Sequence, residues 1–207
     1  MPTEPIVYVV DDDDAVRDSL TALLDSVGYR VAAFESAEAF LRTDPPQGGK
    51  TDAGCIVSDI RMPGLDGLQL QEKLNARQVR LPLLFITGHG DVPIAVSAMK
   101  AGAVDFLEKP FDETTLLDSI RRAIEISRAS QQSQAEAAAV RERIGELTQR
   151  EREVMVCLAQ GKQNKVVALE LGISPRTVEI HRARVMEKMA ARSLSDVVRA
   201  AISAGLI

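Results

Sequence analysis

Four aspartates stand in a row, Asp11, Asp12, Asp13 and Asp14, directly after the apolar run IVYVV at 6–10. Like charges placed side by side repel, so the cluster needs either water and helix caps or a cation among its carboxylates. Residues able to join that chemistry lie far away in the chain: Asp59 follows CIVS (55–58), Thr87 ends LLFIT (83–87), and Lys109 follows VDFLE (104–108). Carboxylate oxygens on their own suit a hard cation such as Mg²⁺, which keeps several waters and accepts phosphate oxygens. A lysine adds a point charge for an anion, and a threonine hydroxyl can reach a phosphoryl oxygen. Two carboxylates about 4–5 Å apart repel by roughly 4 kcal/mol at an effective dielectric near 20. The implied chemistry is transfer of a phosphoryl group onto a carboxylate by positioning and charge neutralisation.

Such a site requires elements that bring these residues to one place. The short apolar runs at 6–10, 30–34, 55–58, 83–87 and 104–108 have the length and β-branched content of buried parallel strands. Helical patterns lie between them at about 14–27, 36–42, 67–77 and 92–101, with a last one from about 113. Strand then helix, repeated over about 125 residues, predicts an open, doubly wound α/β sheet. Right-handed crossovers put the C-terminal end of each strand on one rim, where Asp11, Asp12, Asp59, Thr87 and Lys109 would meet. Asp13 and Asp14 are placed at the start of the following helix, whose dipole favours acids. The blander assignment gives all four aspartates to capping and solvation.

Length and composition agree with more than one module. At 207 residues, with 45% hydrophobic and 27% charged residues, the chain has the size of two small globular domains. Two widely separated cysteines, Cys55 and Cys157, offer neither a disulfide framework nor a CxxC pattern, which favours a reducing cytoplasm. No signal peptide and no apolar run near the length of a membrane span is evident. Aromatics make up 3% and tryptophan is absent, which argues against a base-stacking single-strand binder. Residues 1–124 carry 20 acidic against 12 basic side chains, whereas residues 148–207 carry 6 against 10. That asymmetry points to two modules with different partners.

The motifs VVDD (9–12), SDIRMPGLDG (58–67), FITGHGD (85–91) and EKPF (108–111) resemble those of bacterial response-regulator receiver domains, over about residues 5–125. The resemblance implies a flavodoxin-like fold of five parallel strands. It makes Asp59 the phospho-acceptor for a sensor histidine kinase. It places Mg²⁺ on Asp12, Asp59 and the backbone carbonyl of Arg61, with Asp11 acting through metal-bound water. Thr87 and Phe106 become a switch pair, Lys109 a ligand of phosphoryl oxygens, and Lys109–Pro110 a cis peptide. His89, in a glycine-flanked loop, modulates the lifetime of the phosphate or has no role. Residues 45–54, PPQGGKTDAG, read as a surface loop.

From Phe111 to Ile144 there is neither glycine nor proline, and helix formers dominate. The stretch 126–144 reads as a helical linker: either a frayed end or one extended helix, with Val140, Ile144 and Leu147 as a short apolar seam towards a second chain. Residues 145–207 read as an all-α four-helix module. Thr148 and Glu151 form a capping box, Gly172 a turn, Ser174 a cap, and Pro175 the first residue of a helix. A helix-turn-helix is expected at about 164–183. In its second helix, Val178, Val185 and Met189 face inward. Arg176 and Glu179, with Arg182, face out towards base edges, while Arg182, Arg184 and Lys188 are placed to meet phosphates. His181 either donates to a phosphate or packs. Asn164, Lys165 and Thr177, at the helix starts, complete the candidate contact set.

LTQREREV and the stretch from GKQNKVVA through RTVEIHRARVMEKM resemble the LuxR-type DNA-binding domain, and the whole chain resembles the FixJ subfamily of LuxR-type response regulators. One departure is GKQNKVVA where GLSNKEIA is common: Lys162 and Gln163 are placed to alter phosphate contacts and Val166 replaces a usual acid, a change that bears on DNA affinity. The resemblance implies a cytoplasmic transcription activator that forms a homodimer on phosphorylation through helix 4, strand 5 and helix 5. Its expected partners are a FixL-like kinase, promoter DNA and RNA polymerase, with nitrogen-fixation genes under low oxygen as targets. Two alternatives stay open: a phosphorylation-independent DNA-binding regulator with a vestigial pocket, and a phosphohydrolase with an aspartyl intermediate. The second is disfavoured because Arg61 stands where a DxD pattern needs an acid.

Overall fold

A computed structural model describes residues 4–43, 53–88 and 92–207. His89 and residues 45–52 lie outside the described residues. Ala53, which follows them, is buried, and Gly54 opens a strand instead of closing a loop. The first elements in chain order are β1 (Ile6–Val10), α1 (Asp14–Ser26), β2 (Arg30–Phe34), α2 (Ala37–Arg42), β3 (Gly54–Asp59), α3 (Gly67–Ala76), β4 (Leu83–Thr87), α4 (Val92–Lys100), β5 (Asp105–Glu108) and α5 (Glu113–Gly145). They are followed by α6 (Gln149–Ala159), α7 (Asn164–Leu171), α8 (Pro175–Lys188) and α9 (Leu194–Ser203). Contacts divide the chain into one unit through Gln132 and another from Ser133.

In the first unit the strands form one parallel sheet in the order β2-β1-β3-β4-β5. Alternation along each strand sends neighbouring side chains to opposite faces, and both faces are covered. Ile56 and Phe85 pack with Phe40, Leu70, Leu74 and Ala98 of α2, α3 and α4. Cys55, Val57, Leu84 and Ile86 pack with Leu20, Leu24, Leu116 and Ile120 of α1 and α5. Each large side chain fully buried in this way stabilises the unit by roughly 1.5–3 kcal/mol. Burial in the second layer pushes the Cys55 thiol up to about 12 and leaves it inert. The order reverses between β1 and β3, the switch point where such sheets leave a crevice at their carboxyl ends.

The start of the stretch expected to be a free linker is tied to this unit. Ser127 is buried and its Oγ accepts the Gly54 N–H at 3.2 Å. In the second unit, Ile144 and Leu147 join Met155, Val185, Met189 and Val197 in a buried cluster, with Val140 against it. The apolar seam anticipated for a second chain is therefore consumed inside the unit, because four short helices have too few apolar faces to leave those residues exposed. Val154, Leu158, Val167 and Val178 form an adjoining cluster. Among the described residues no helix is long and apolar enough to cross a membrane.

Candidate functional site

The carboxyl ends of β1, β3, β4 and β5 build the first site. Val10 pairs with Ser58, so Asp11 and Asp59 leave adjacent strands side by side. Asp11 is 1% exposed and Asp59 7%. Lys109 reaches both: its Nζ lies 3.0 Å from Asp11 Oδ2 and 3.2 Å from Asp59 Oδ1. The Lys109–Pro110 peptide is cis, and the Lys109 N–H donates to the Thr87 carbonyl at 2.7 Å. The other oxygens of the pair are also engaged. Asp59 Oδ2 accepts the Arg61 N–H at 2.6 Å, and Asp11 Oδ1 accepts the Asp13 N–H at 2.9 Å. Asp13 caps α1 by accepting from Ala15, while Asp14, the first residue of that helix, pairs with Arg17.

Opposed influences set the charges. Burial raises the Asp59 pKa above the ordinary carboxylate value, against the charge and hydrogen bond of Lys109 and the Arg61 N–H; Asp11 adds to the rise. Burial works against the Lys109 ammonium, but the hydrogen bond and charge of Asp11, then those of Asp59, outweigh it and raise its pKa. A lone ammonium thus neutralises one of two buried carboxylates, and a negative balance remains. All-oxygen donors with that balance fit a hard divalent cation.

Asp12, by contrast, is exposed. Among the described residues no three His, Cys, Asp or Glu side chains stand close enough together to hold a metal. Asp11 and Asp59 form a buried pair, and Asp12, which follows the end of β1, lies at the surface. Thr87, at the end of β4, is 1% exposed, and Phe106 is half-buried beside Phe85. Two residues at this site escaped sequence reasoning. Arg17 donates to the Asp11 carbonyl at 2.6 Å, and Glu38 accepts the Leu65 N–H at 2.9 Å. A separation of 27 residues in the second case leaves no local signal in the sequence.

The second unit builds the other site. Ser174 caps α8 and Pro175 opens it, while Gly172 ends α7 at a φ of 65°, a left-handed turn that suits glycine. Val178, Val185 and Met189 are buried, which leaves Arg176, Glu179, Ile180, Ala183 and Arg184 exposed on one face. Lys165 is exposed at the start of α7. Arg182 Nη1 lies 3.4 Å from Asn164 Oδ1, linking the two helices, and Thr177 Oγ1 lies 2.8 Å from the Ser174 cap. His181 Nδ1 is buried and has no hydrogen-bond partner among the described residues.

Lys188, placed with the phosphate contacts, also makes contacts inside the unit. Its Nζ sits 2.7 Å from Glu151 Oε2 and donates to the Glu146 carbonyl at 3.1 Å, so its charge is paired inside the unit. The i, i+4 spacing from Arg184 is that of a stripe, but the last turn of α8 packs on α6 and its buried acid. Lys162, one of the unusual residues before α7, pairs with Glu170 at 2.6 Å and bridges the ends of that helix.

A family model for the response regulator receiver domain matches residues 7–121, and one for bacterial regulatory proteins of the luxR family matches residues 145–201. The transcriptional regulatory protein FixJ of Bradyrhizobium diazoefficiens is 50% identical over 207 residues, covering 100% of this chain and 99% of the relative. The structure of the response regulator StyR aligns over 97% of this chain and 99% of its own, at 42% identity and a TM-score of 0.83. Full-length FixJ from B. japonicum aligns over 99% of each chain at 50% identity with a TM-score of 0.58. A receiver pocket at the sheet edge and a helix-turn-helix in one chain, matched at this identity along its whole length, place it in a family: the chain belongs to the LuxR-type response regulators, transcriptional regulators that pair a receiver with a DNA-binding domain.

Proposed function

We propose that this chain is a FixJ-type activator switched by phosphorylation of Asp59. The observation that carries the reading is the bridge of Lys109 to both Asp11 and Asp59 at the rim of the sheet. In the transfer, an Asp59 carboxylate oxygen attacks the phosphorus of a kinase phosphohistidine. The new O–P bond forms as the P–N bond breaks, and the leaving imidazole nitrogen keeps the electron pair. Lys109 holds a phosphoryl oxygen and offsets charge that would otherwise accumulate. Asp12, Asp59 and the Arg61 carbonyl would hold Mg²⁺, to which Asp11 would contribute through water. Bound there, the ion supplies charge neutralisation for the phosphoryl oxygens and carboxylates.

The added phosphoryl charge draws the Thr87 hydroxyl, and Phe106 turns inward on the strand beside it. The surface of α4, β5 and α5 then pairs two copies. Exposed Val92, Val96 and Met99 on α4 support that surface. A two-fold dimer suits a two-fold DNA site, where α8 enters the major groove, and the bound activator recruits RNA polymerase. The residues proposed to meet DNA are Asn164, Lys165, Arg176, Thr177, Glu179, His181, Arg182 and Arg184. The resemblance to the FixJ subfamily, shared with relatives named FixJ, supports a FixL-like kinase and nitrogen-fixation genes under low oxygen as targets.

Incubation with acetyl phosphate and Mg²⁺, followed by intact-protein mass measurement, tests the central claim. One phosphate adduct on the native chain and none on Asp59→Asn is the expected result. An adduct that survives the substitution removes Asp59 from the role, and turnover of acetyl phosphate with no accumulated adduct favours a hydrolase.

A further inference from the structure

The segment between β3 and α3, residues 60–66, carries the Arg61 carbonyl assigned above to the cation, and regular structure does not hold it. Its two ends are fixed locally. Arg61 N–H donates to Asp59, Gly67 N–H donates to the Ile60 carbonyl at 2.9 Å, and Asp66 caps α3 in a capping box with Gln69. Met62 is buried. A further tether arrives from a different element. Glu38, in the first turn of α2, accepts the Leu65 N–H on Oε1. The path of the segment is shaped around that carboxylate. Gly64 has a φ of 80°, and a Cβ there would lie 2.6 Å from Glu38 Oε1. A side chain there would be strained at that φ and would push the carboxylate from its place.

We propose that Glu38 is a positioning residue for phosphoryl transfer, holding the acceptor loop in the form that receives the cation. The proposal rests on the reading of Asp59 as the phospho-acceptor and deepens it. A hydrogen bond from a backbone N–H to an ionised carboxylate is among the stronger ones available. Pinning Leu65 limits the conformations open to the residues between it and Asp59, so less ordering remains to be done when the ion binds. α2 itself is anchored independently, through buried Ala37, Phe40 and Leu41 and the Ser36 cap. Glu38 can therefore be changed with the core left intact.

Two full-length variants separate position from charge. Glu38→Gln keeps an oxygen acceptor of the same reach, whereas Glu38→Met keeps the length and loses the acceptor. Amide hydrogen exchange at Leu65, Mg²⁺ affinity by calorimetry and the initial rate of phosphorylation by acetyl phosphate are measured on each. Glu38→Met should expose the Leu65 amide and weaken Mg²⁺ binding about fivefold, the worth of one hydrogen bond. The rate at low Mg²⁺ should fall in proportion, and Glu38→Gln, whose neutral oxygen still accepts the Leu65 N–H, should lose clearly less than Glu38→Met. Native values for Glu38→Met overturn the proposal, and so does an equal loss in Glu38→Gln, which would assign the effect to charge. Gly64→Ala, which adds a methyl against the same carboxylate and strain at a positive φ, should lose at least as much as Glu38→Met. It supplies the test if that variant does not fold, with native behaviour again the overturning result. A native chain that gains no phosphate sinks the acceptor reading itself, whereas a phosphorylated native chain with an unaltered Glu38→Met variant sinks only the role of Glu38.

Discussion

At the scale of the residue, the receiver pocket is a problem of charge. Two buried carboxylates share one ammonium, and each remaining carboxylate oxygen named above already accepts a backbone N–H. Removing the ammonium leaves like charges side by side in a partly desolvated site. Lys109→Met is therefore expected to lower stability in metal-free urea unfolding by about 1–3 kcal/mol, the usual cost of stranding buried polar groups. Saturating Mg²⁺ should recover part of the loss, since a ligand bound only by the folded state stabilises it. A variant as stable as the native chain without metal would show that Lys109 is not the counter-charge. Asp59 and Lys109 could be named from the sequence because strand ends and turn motifs announce them. Arg17 and Glu38 could not, since their partners are main-chain groups that any residue would supply.

At the scale of the element, Glu151 shows how a cap can also lock two helices. It is 2% exposed, closes the capping box of α6 through the Thr148 N–H at 2.9 Å, and meets Lys188 of α8 at 2.7 Å. The hydrogen bond from Lys188, then that from Thr148, holds its carboxyl down at about 2 against the opposing effect of burial. A carboxyl with a depressed folded-state pKa contributes stability that is complete above its unfolded value near 4.5 and is lost as pH falls towards 2. Unfolding of the second unit, followed by its helical signal between pH 6 and pH 2.5, should show this loss over that window. Glu151→Ala should flatten the profile and cost about 1–2 kcal/mol at neutral pH, in the range of a lost cap. An unchanged profile in the variant would remove Glu151 as the titrating group. The capping box was legible as Thr148 and Glu151 three residues apart, but the lysine 37 residues further on was not.

At the scale of the whole molecule, an acidic receiver and a basic C-terminal module divide the labour of one regulator. Sequence-independent attraction to duplex DNA comes from the basic module and should obey counterion release, with a slope of about −0.9 per phosphate contact on a log–log plot against salt. Titration of a promoter fragment at several salt concentrations should give a steep line, and a flat response would end the duplex-binding reading. Arg184→Ala should weaken binding to all sequences alike and make the slope shallower by about one. Lys188→Ala should leave the slope unchanged and lower stability instead, because its charge is already paired with Glu151. A slope change in that variant as large as for Arg184 would return Lys188 to the DNA interface.

The sequence by itself determined the fold class and which strand ends carry the chemistry. Short, β-branched apolar runs separated by helical patterns fit buried parallel strands, and right-handed crossovers then send Asp11, Asp59, Thr87 and Lys109 to one rim. It also determined the inward stripe of α8, because 3.6-residue periodicity reports burial directly. Tertiary structure alone decided which members of each set are free to act. Asp12 is exposed where Asp11 is buried, Lys188 pairs with Glu151, and Ile144 and Leu147 pack within the second unit. The physical reason is the same in each case: charge and apolar surface are satisfied by whatever the fold brings nearest, and distance across a packed interior is not written in the spacing of residues along a chain.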